Sequence, residues 1–199
     1  LTAIEVVSEL LASTAEGDLP RKLTEQIAEL TGARTVLLLA HPAKGGEHEL
    51  LAACPPRRAN LFAVDELAHL CPDQFPGELP VHPRDWPVEF PARAPMLRAG
   101  IESVLRFGLR TTEQLVGSLF LFDLPEVHRI DEAVKVLTPL LPPIAVALKN
   151  AFTNQQLREL ARDLERRVAE RTADLEAANK ELTASRIAAI NMMEDAVAA

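Results

Sequence analysis

The chain has 199 residues, of which 48% are hydrophobic and 25% charged, a balance typical of soluble globular proteins. Its formal net charge of −8 disfavours binding to nucleic-acid phosphates. The two cysteines, Cys54 and Cys71, form no CxxC pair, so neither a disulfide framework nor a structural zinc site is predicted. No run of about 18 uninterrupted apolar residues occurs, so we predict no membrane span and no direct membrane contact. The cysteine usage is typical of a reducing compartment, so we expect a cytoplasmic protein.

The first third of the chain is predicted to contain two helices and a pair of strands. Apolar residues at helical spacing predict one helix over residues 1–15 and a second over 18–31, which ends at Gly32. The apolar run Thr35–Ala40 is typical of a buried strand, and Glu49–Cys54 returns beside it after a Gly-Gly turn. The pattern therefore predicts helices packed beside an antiparallel hairpin.

The segment from residue 55 to residue 95 contains nine of the fifteen prolines. Each proline removes a backbone donor and disfavours helix in the residue before it, so little regular structure is predicted beyond a short helix within Asn60–Leu70. Loops of this length usually cover a pocket or are mobile. Three aromatic side chains of the segment either close over an apolar ligand or pack the loop onto the sheet: Phe75, Trp86 and Phe90.

Two further strands and a helix follow this loop. The segments Ser103–Leu109 and Gln114–Phe122 are predicted to be strands, and Gly117 within the second indicates a close backbone approach or a bulge. A helix that opens near Asp131 should be interrupted by prolines, and a new helix should begin at the last of them. These prolines form the predicted coupling element of the chain: Pro139, Pro142 and Pro143.

No proline or glycine occurs after Pro143, which predicts one long helix up to Ala199. Apolar residues recur in it at heptad a and d positions, so we expect a parallel coiled coil with a second copy of the chain. Arg171 and Ser185 occupy buried-type positions and make the seam weaker than that of a structural rod. The heptad seam comprises Leu157, Ala161, Leu164, Val168, Arg171, Leu175, Ala178, Leu182, Ala189 and Met192.

The order of the predicted elements, two helices, two strands, a loop, two strands and a helix, resembles a GAF domain. The most specific stretch is IESVLRFGLRTTEQLVGSLFLFD, residues 101–123. It is followed by LPPIAVALKNA, residues 141–151, which resembles the closing helix of that family. The resemblance implies an α/β (α+β) fold. A GAF-like antiparallel sheet flanked by helices would occupy residues 1–150, and a long coiled-coil helix residues 151–199.

The long helix carries a second resemblance. Its segment LERRVAERTADLEAANKEL, residues 164–182, resembles the linker that precedes the kinase core or a PAS domain in bacterial sensor histidine kinases. This implies a non-catalytic sensory module of a two-component protein, passing a ligand- or dimer-state signal to a downstream kinase or PAS domain of the same chain. The alternatives are a ligand-free dimerisation scaffold and the input domain of a diguanylate cyclase. A small enzyme with Cys54 or Cys71 as nucleophile lacks a convincing Cys–His pairing in the sequence.

The GAF resemblance also has implications for ligands. Members that bind bilins attach the pigment through a cysteine commonly followed by histidine, whereas here a proline follows both Cys54 and Cys71. We therefore predict no cofactor and leave an unidentified small-molecule ligand open. The five histidines are interpreted as surface residues, and no metal site is predicted. The candidate lining of a ligand pocket comprises Cys54, Phe75, Trp86, Phe90 and Arg106.

Overall fold

A computed structural model of the chain describes residues 19–41, 47–71, 80–125 and 128–198. The predicted first helix, the Gly-Gly turn and Phe75 lie outside these ranges, and the side chain of Ala189 is not described either. The chain forms two compact units, Leu1–Phe152 and Thr153–Ala199. The sequence analysis divides it after residue 150, and that domain organisation stays a prediction.

The first described helix, α1 (Leu19–Thr31), ends at a glycine, as the sequence predicts. Gly32 has a φ of 70°, in the left-handed region that glycine adopts without steric cost. Its N–H donates to the carbonyl of Ala28 over 2.8 Å and so satisfies one of the last helical acceptors. Leu23 and Ile27 are buried, so the apolar side of α1 packs against the core.

Within the described residues, four strands form one antiparallel sheet. They are β1 (Thr35–Ala40), β2 (Glu49–Cys54), β3 (Val104–Arg110) and β4 (Leu115–Phe122). Their order across the sheet is β2-β1-β4-β3, so the two central strands are the two apolar runs. Because β1 and β4 are covered on both faces, nearly every one of their residues is buried. The predicted antiparallel sheet is confirmed.

Gly117 lies in β4 between Ala40 of β1 and Leu109 of β3. A Cβ atom at this position would lie 2.7 Å from the carbonyl oxygen of Leu39, which is closer than real Cβ atoms come to backbone. The pairing of β3 with β4 also shifts register between Leu109 and Arg110. The close approach predicted from the sequence is therefore present, and a bulge lies beside it.

One face of the sheet, here called the helix face, is covered by helices. They are α1, α4 (His128–Leu137) and the start of α5 (Leu141–Ala198). The side chains between them form an aliphatic core without aromatic rings among its fully buried members. This core includes Ile27, Val36, Leu38, Leu119, Leu121, Leu137 and Leu148.

The other face, here called the loop face, is covered by the described parts of the long proline-rich segment. This segment contains two short helices, α2 (Val64–Ala68) and α3 (Arg93–Arg98). The sequence analysis predicts a helical turn near α2 but no helix at α3, and that omission is corrected here. Pro95 is the third residue of α3, where its missing N–H has no helical acceptor to lose. The core of this face includes Leu37, Leu39, Phe120, Phe122, Leu67, Trp86 and Met96.

The three prolines of the predicted coupling element lie between α4 and the first turn of α5, and their coupling role stays a prediction. A single 3₁₀ turn, Thr138–Leu140, joins the two helices and contains Pro139. The second helix then begins at Leu141, two residues before the predicted start, with Pro142 and Pro143 in its first turn. From there α5 runs for 58 residues, which confirms the predicted long helix.

A stretch within Arg129–Ile187 is long and apolar enough to cross a membrane by length and composition alone. A third of its most apolar window, 33%, is buried inside the protein. The residues buried within Arg129–Ile187 include Leu137, Leu140, Ile144 and Leu148, which pack in the core of the helix face. Core helices of soluble proteins pass the same test, so this stretch is weak evidence for a membrane span.

Candidate functional site

Two histidines meet at one end of the sheet. His41 follows β1 and continues the alternation that places Leu39 on the loop face. His48 precedes β2, and the pairing of Ala40 with Glu49 places it opposite His41. The centroids of the two imidazole rings lie 4.8 Å apart, with the ring planes inclined at 77°. The hairpin register therefore brings two ring systems together on the loop face.

A cysteine of the covering segment reaches the same place. Cys71 follows α2, is fully buried, and donates its thiol proton to the carbonyl of Leu67 over 3.7 Å. One donor atom each from His41, His48 and Cys71 lie within 4.8 Å of one another. We call these three residues the His–His–Cys cluster. It joins the β1–β2 hairpin to the end of α2.

The two rings of the cluster have different polar surroundings. Nε2 of His41 lies 2.8 Å from the hydroxyl oxygen of Ser118, which is fully buried in β4. Nε2 of His48 is itself buried and has no hydrogen-bond partner within the described ranges. A buried ring nitrogen without a hydrogen-bond partner lowers the stability of the protein. A group bound beside Nε2 of His48 could supply the missing partner.

A cation stands beside the cluster. Arg106 of β3 is half-buried and shares the loop face with Val104 and Phe120. Its Nη1 donates to the carbonyl of Leu70, next to the cysteine, over 3.0 Å. Burial lowers the pKa of Arg106, and Cys71 opposes that shift by raising it. The guanidinium is therefore held where its charge interacts with the thiol.

Among the residues predicted to line a pocket, Trp86 and Phe90 lie on the loop face with Arg106. Trp86 is only 2% exposed, and its indole N–H donates to the carbonyl of Pro80 over 2.5 Å. Phe90 meets it edge to face, with ring centroids 5.3 Å apart. The two rings therefore pack against each other on the loop face, and their role in lining a ligand pocket stays a prediction.

Cys54 lies on the helix face, away from the other candidates. Its register explains the difference, because Leu38 pairs with Ala52 while Leu39 pairs with Leu50, which leaves Leu51 as an extra residue. This bulge reverses the alternation of side chains in the rest of β2. Burial raises the pKa of the Cys54 thiol, and two carboxylates of α1 raise it further. The structure thus does not bring Cys54 together with Trp86 or Arg106.

The cluster itself was missed by the sequence analysis. A usable signal was present, since a hairpin that pairs residue 40 with residue 49 must also place His41 opposite His48. Cys71 carries no such signal, because only the folding of the proline-rich segment over the sheet brings it to the hairpin. His69 is exposed, and Nδ1 of His82 lies 2.8 Å from the carbonyl oxygen of Glu102, so neither joins the cluster.

No model of a known protein family matches the sequence, and no curated protein matches it either. Solved structures do resemble it. The phycoerythrobilin-bound GAF domain from a cyanobacterial phytochrome is 14% identical, with a TM-score of 0.56, over 78% of this chain and 98% of that one. The phycocyanobilin-bound GAF domain from a cyanobacterial phytochrome is 15% identical, with a TM-score of 0.55, over 77% and 97%.

A third similar structure comes from a chemotaxis protein. It is a methyl-accepting chemotaxis protein, residues 122 to 287, 13% identical, with a TM-score of 0.53, over 73% of this chain and 96% of that one. At such identities the similarity establishes the fold. The chain has a GAF-like fold, an antiparallel four-stranded sheet with flanking helices and a long C-terminal helix, as the resemblance in the sequence implied.

The comparison corrects one expectation. The sequence analysis predicts no cofactor, yet two of these GAF domains carry a bilin pigment. A missing Cys–His dipeptide concerns only one mode of pigment attachment and does not exclude a bound cofactor. The prediction of no cofactor is therefore wrong for a fold of this kind.

Proposed function

We propose that this chain is the sensory input module of a cytoplasmic signal-transduction protein whose output domain is a histidine kinase core, reached directly or through a PAS domain. The observation that carries the proposal is α5, a single 58-residue helix whose first turns are part of the domain core. A change at the sheet is then transmitted to whatever follows the helix. The linker resemblance of residues 164–182 supports a kinase as the output.

The contacts of the first turns of α5 support a mechanical connection between the sheet and the helix. Ile144, Ala145 and Leu148 are buried in the core of the helix face. Leu148 also reaches β4, since its Cδ2 atom lies 3.3 Å from the position of a Cβ on Gly117. Close packing transmits small displacements, so a shift of β4 moves the start of α5.

We propose that a second copy of the chain covers the heptad seam. In the single chain its leucine and valine side chains are 53–70% exposed, from Leu164 at the low end to Leu175 at the high end. An isolated helix with such a stripe is marginal in water, and a parallel partner would bury the stripe along its whole length. Intrahelical ion pairs, such as that of Arg166 with Asp163 at 2.5 Å, support the helix on its polar sides.

The ligand site of the proposed module lies on the loop face, around the His–His–Cys cluster and Arg106. A bilin bound there would need a mode of attachment other than the thioether of the pigment-binding family members. Cys71 is fully buried with its thiol bound to Leu67, and Cys54 lies on the opposite face of the sheet with a raised pKa. Polar and metal-ligating side chains, rather than a reactive thiol, are what this site offers.

The transmission step is tested by changing the phase of α5 in the full-length protein. Seven residues inserted after Arg167 preserve the heptad phase, whereas three or four residues rotate everything that follows. We expect the kinase to keep its regulated autophosphorylation with the first insertion and to become locked on or off with the others. Equal regulation in all three insertion variants would contradict transmission through the helix.

A second test separates a sensor from a ligand-free dimerisation scaffold. Arg106→Ala removes the cation of the loop-face site, and Arg110→Ala removes an exposed arginine of the same strand as a matched control. A sensor loses or shifts its response with the first substitution only. If both variants respond as the wild type does, the site has no part in signalling and the scaffold function is favoured.

A further inference from the structure

The His–His–Cys cluster has the donor set of a transition-metal site. Two imidazoles and one thiol are ligands for Zn²⁺ and similar borderline ions, whereas Mg²⁺ and Ca²⁺ need oxygen donors. In a tetrahedral zinc site, bonds of about 2.0–2.1 Å to nitrogen and about 2.3 Å to sulfur place the donors about 3.3–3.7 Å apart. The three donors here lie within 4.8 Å of one another, so side-chain shifts of about 1 Å complete that geometry.

The buried ring nitrogen of His48 is a second, independent observation. Nε2 of His48 is shielded from solvent without a hydrogen-bond partner among the described residues. The lone pair of a neutral imidazole is satisfied by a metal ion as well as by a proton donor. This nitrogen lies beside a second imidazole and a thiol, so one bound ion would contact all three side chains.

Two neighbours of the cluster act in the same direction. The hydroxyl of Ser118 contacts a ring nitrogen of His41 and orients the imidazole, as partners of metal-binding histidines do. Arg106 is fixed beside Cys71 by its hydrogen bond to the carbonyl of Leu70, the residue before the cysteine, over 3.0 Å. Ser118 and Arg106 would both position ligands without being ligands themselves.

We propose that His41, His48 and Cys71 together bind one divalent transition-metal ion, with Zn²⁺ as the reference ion. Three protein ligands leave the fourth position of a tetrahedral ion for water or an exchangeable ligand, which is typical of sites that are not purely structural. The bound ion would tie the β1–β2 hairpin to the end of α2. This inference names the ligand of the sensory site, and it rests on the proposed function only for that sensory role.

Metal binding is measured directly on the 199-residue chain, with Zn²⁺ and Co²⁺ as probes. We expect one equivalent of each ion per chain against a competing chelator. The Co²⁺ complex should show the intense near-ultraviolet band of sulfur-to-cobalt charge transfer, because a thiolate is among the ligands. Mg²⁺ should not compete.

Variants assign the site. His41→Ala and His48→Ala should each weaken Zn²⁺ binding by about tenfold or more, and Cys71→Ser should abolish the charge-transfer band. His69→Ala and Cys54→Ser are matched controls, an exposed histidine and the cysteine of the opposite face, and should leave affinity and spectrum unchanged. If Cys71→Ser fails to fold, His48→Gln is the alternative variant. It removes one imidazole ligand outside the buried core and should weaken Zn²⁺ binding.

The outcomes separate this proposal from the proposed function. Absence of stoichiometric binding would overturn the metal site, and so would a charge-transfer band that survives in Cys71→Ser and disappears in Cys54→Ser. Autophosphorylation of the full-length kinase is then measured with and without Zn²⁺. Binding by the chain without any effect of Zn²⁺ on the kinase would keep the site and remove its sensory role.

Discussion

Lys149, near the start of α5, donates a hydrogen bond to the carboxylate of Glu113, in the turn between β3 and β4. The pair is a polar link between the long helix and the sheet, next to the apolar contact of Leu148 with β4. The hydrogen bond from Lys149, together with its charge, lowers the pKa of Glu113. Both side chains are accessible to solvent, so salt weakens the attraction between them.

This pair predicts a pH dependence of stability. A carboxylate whose pKa is lowered by folding stabilises the protein above its unfolded-state pKa of about 4.3, and the contribution is lost as the pH falls through the folded value. Glu113→Gln should therefore lower the free energy of unfolding slightly at neutral pH and leave it unchanged in acid. Urea unfolding at the two pH values measures the difference.

Glu89→Gln is the matched control, because Glu89 is an exposed glutamate of the loop. Its substitution should have the same small effect at both pH values. An electrostatic role for the pair would be contradicted if Glu113→Gln lowers the free energy of unfolding as much in acid, or in about 1 M salt, as it does at neutral pH.

Gly117 predicts a second effect on stability. In Gly117→Ala the new methyl group would meet the carbonyl oxygen of Leu39 at 2.7 Å, so two central strands must move apart. Gly100→Ala is the control, because Gly100 has a φ of 70° but open space around it. This substitution should lower the free energy of unfolding only by the cost of placing alanine in the left-handed conformation, about 1–2 kcal/mol. We expect the larger loss of unfolding free energy at Gly117. Equal losses would show that β1 and β4 accommodate a side chain there.

The sequence predicted the elements whose signals are local. The apolar run of β1, the glycine that ends α1 and the absence of proline and glycine from α5 each dictate a structure with little help from the rest of the chain. The close approach at Gly117 was predictable for the same reason, since only one residue type fits it. Such signals were sufficient for the class of fold and for the long helix.

The candidate site was predictable only in part, because its geometry depends on tertiary packing. A single extra residue, Leu51, turns Cys54 to the helix face, and nothing in the apolar pattern of β2 shows that bulge. Helix α3 contains Pro95, which local propensity disfavours, and it buries Met96 on the loop face. Packing of Met96 on the sheet favours this helix, and the sequence alone does not show that packing. Cys71 meets the two histidines only after the proline-rich segment has folded over the sheet.

The heptad seam predicts that one substitution strengthens association. Arg171 occupies a d position, where a charged side chain must be desolvated or bend away from the partner helix. Arg171→Leu should tighten the dimer by about tenfold or more, because burying a leucine contributes about 1.5–3 kcal/mol. Sedimentation equilibrium measures the dissociation constant. Ala173→Leu adds the same side chain at an outward-facing position and should leave the constant unchanged. A similar change in both variants would contradict the assigned register.

The prolines at the start of α5 either fit the junction or strain it. The change in the free energy of unfolding on replacing them has opposite signs in the two cases. Pro142 and Pro143 lie in the first turn, where their missing N–H groups have no helical acceptor, so they fit the conformation they occupy. Proline at a compatible position stabilises a protein by restricting the unfolded chain. Replacing both by alanine should therefore lower the free energy of unfolding by about 1–2 kcal/mol in total.

Val146→Pro is the complementary variant. Val146 is 49% exposed, so its replacement spares the core, but its N–H lies one turn inside α5 and a proline there should cost about 3 kcal/mol.

In the full-length protein the double alanine variant should also shift the basal kinase activity, since the helix start is less restricted while its core contacts persist. A double variant that is more stable than the wild type would show that the prolines strain the junction. Unchanged kinase activity would show that they have no part in coupling the domain to the helix.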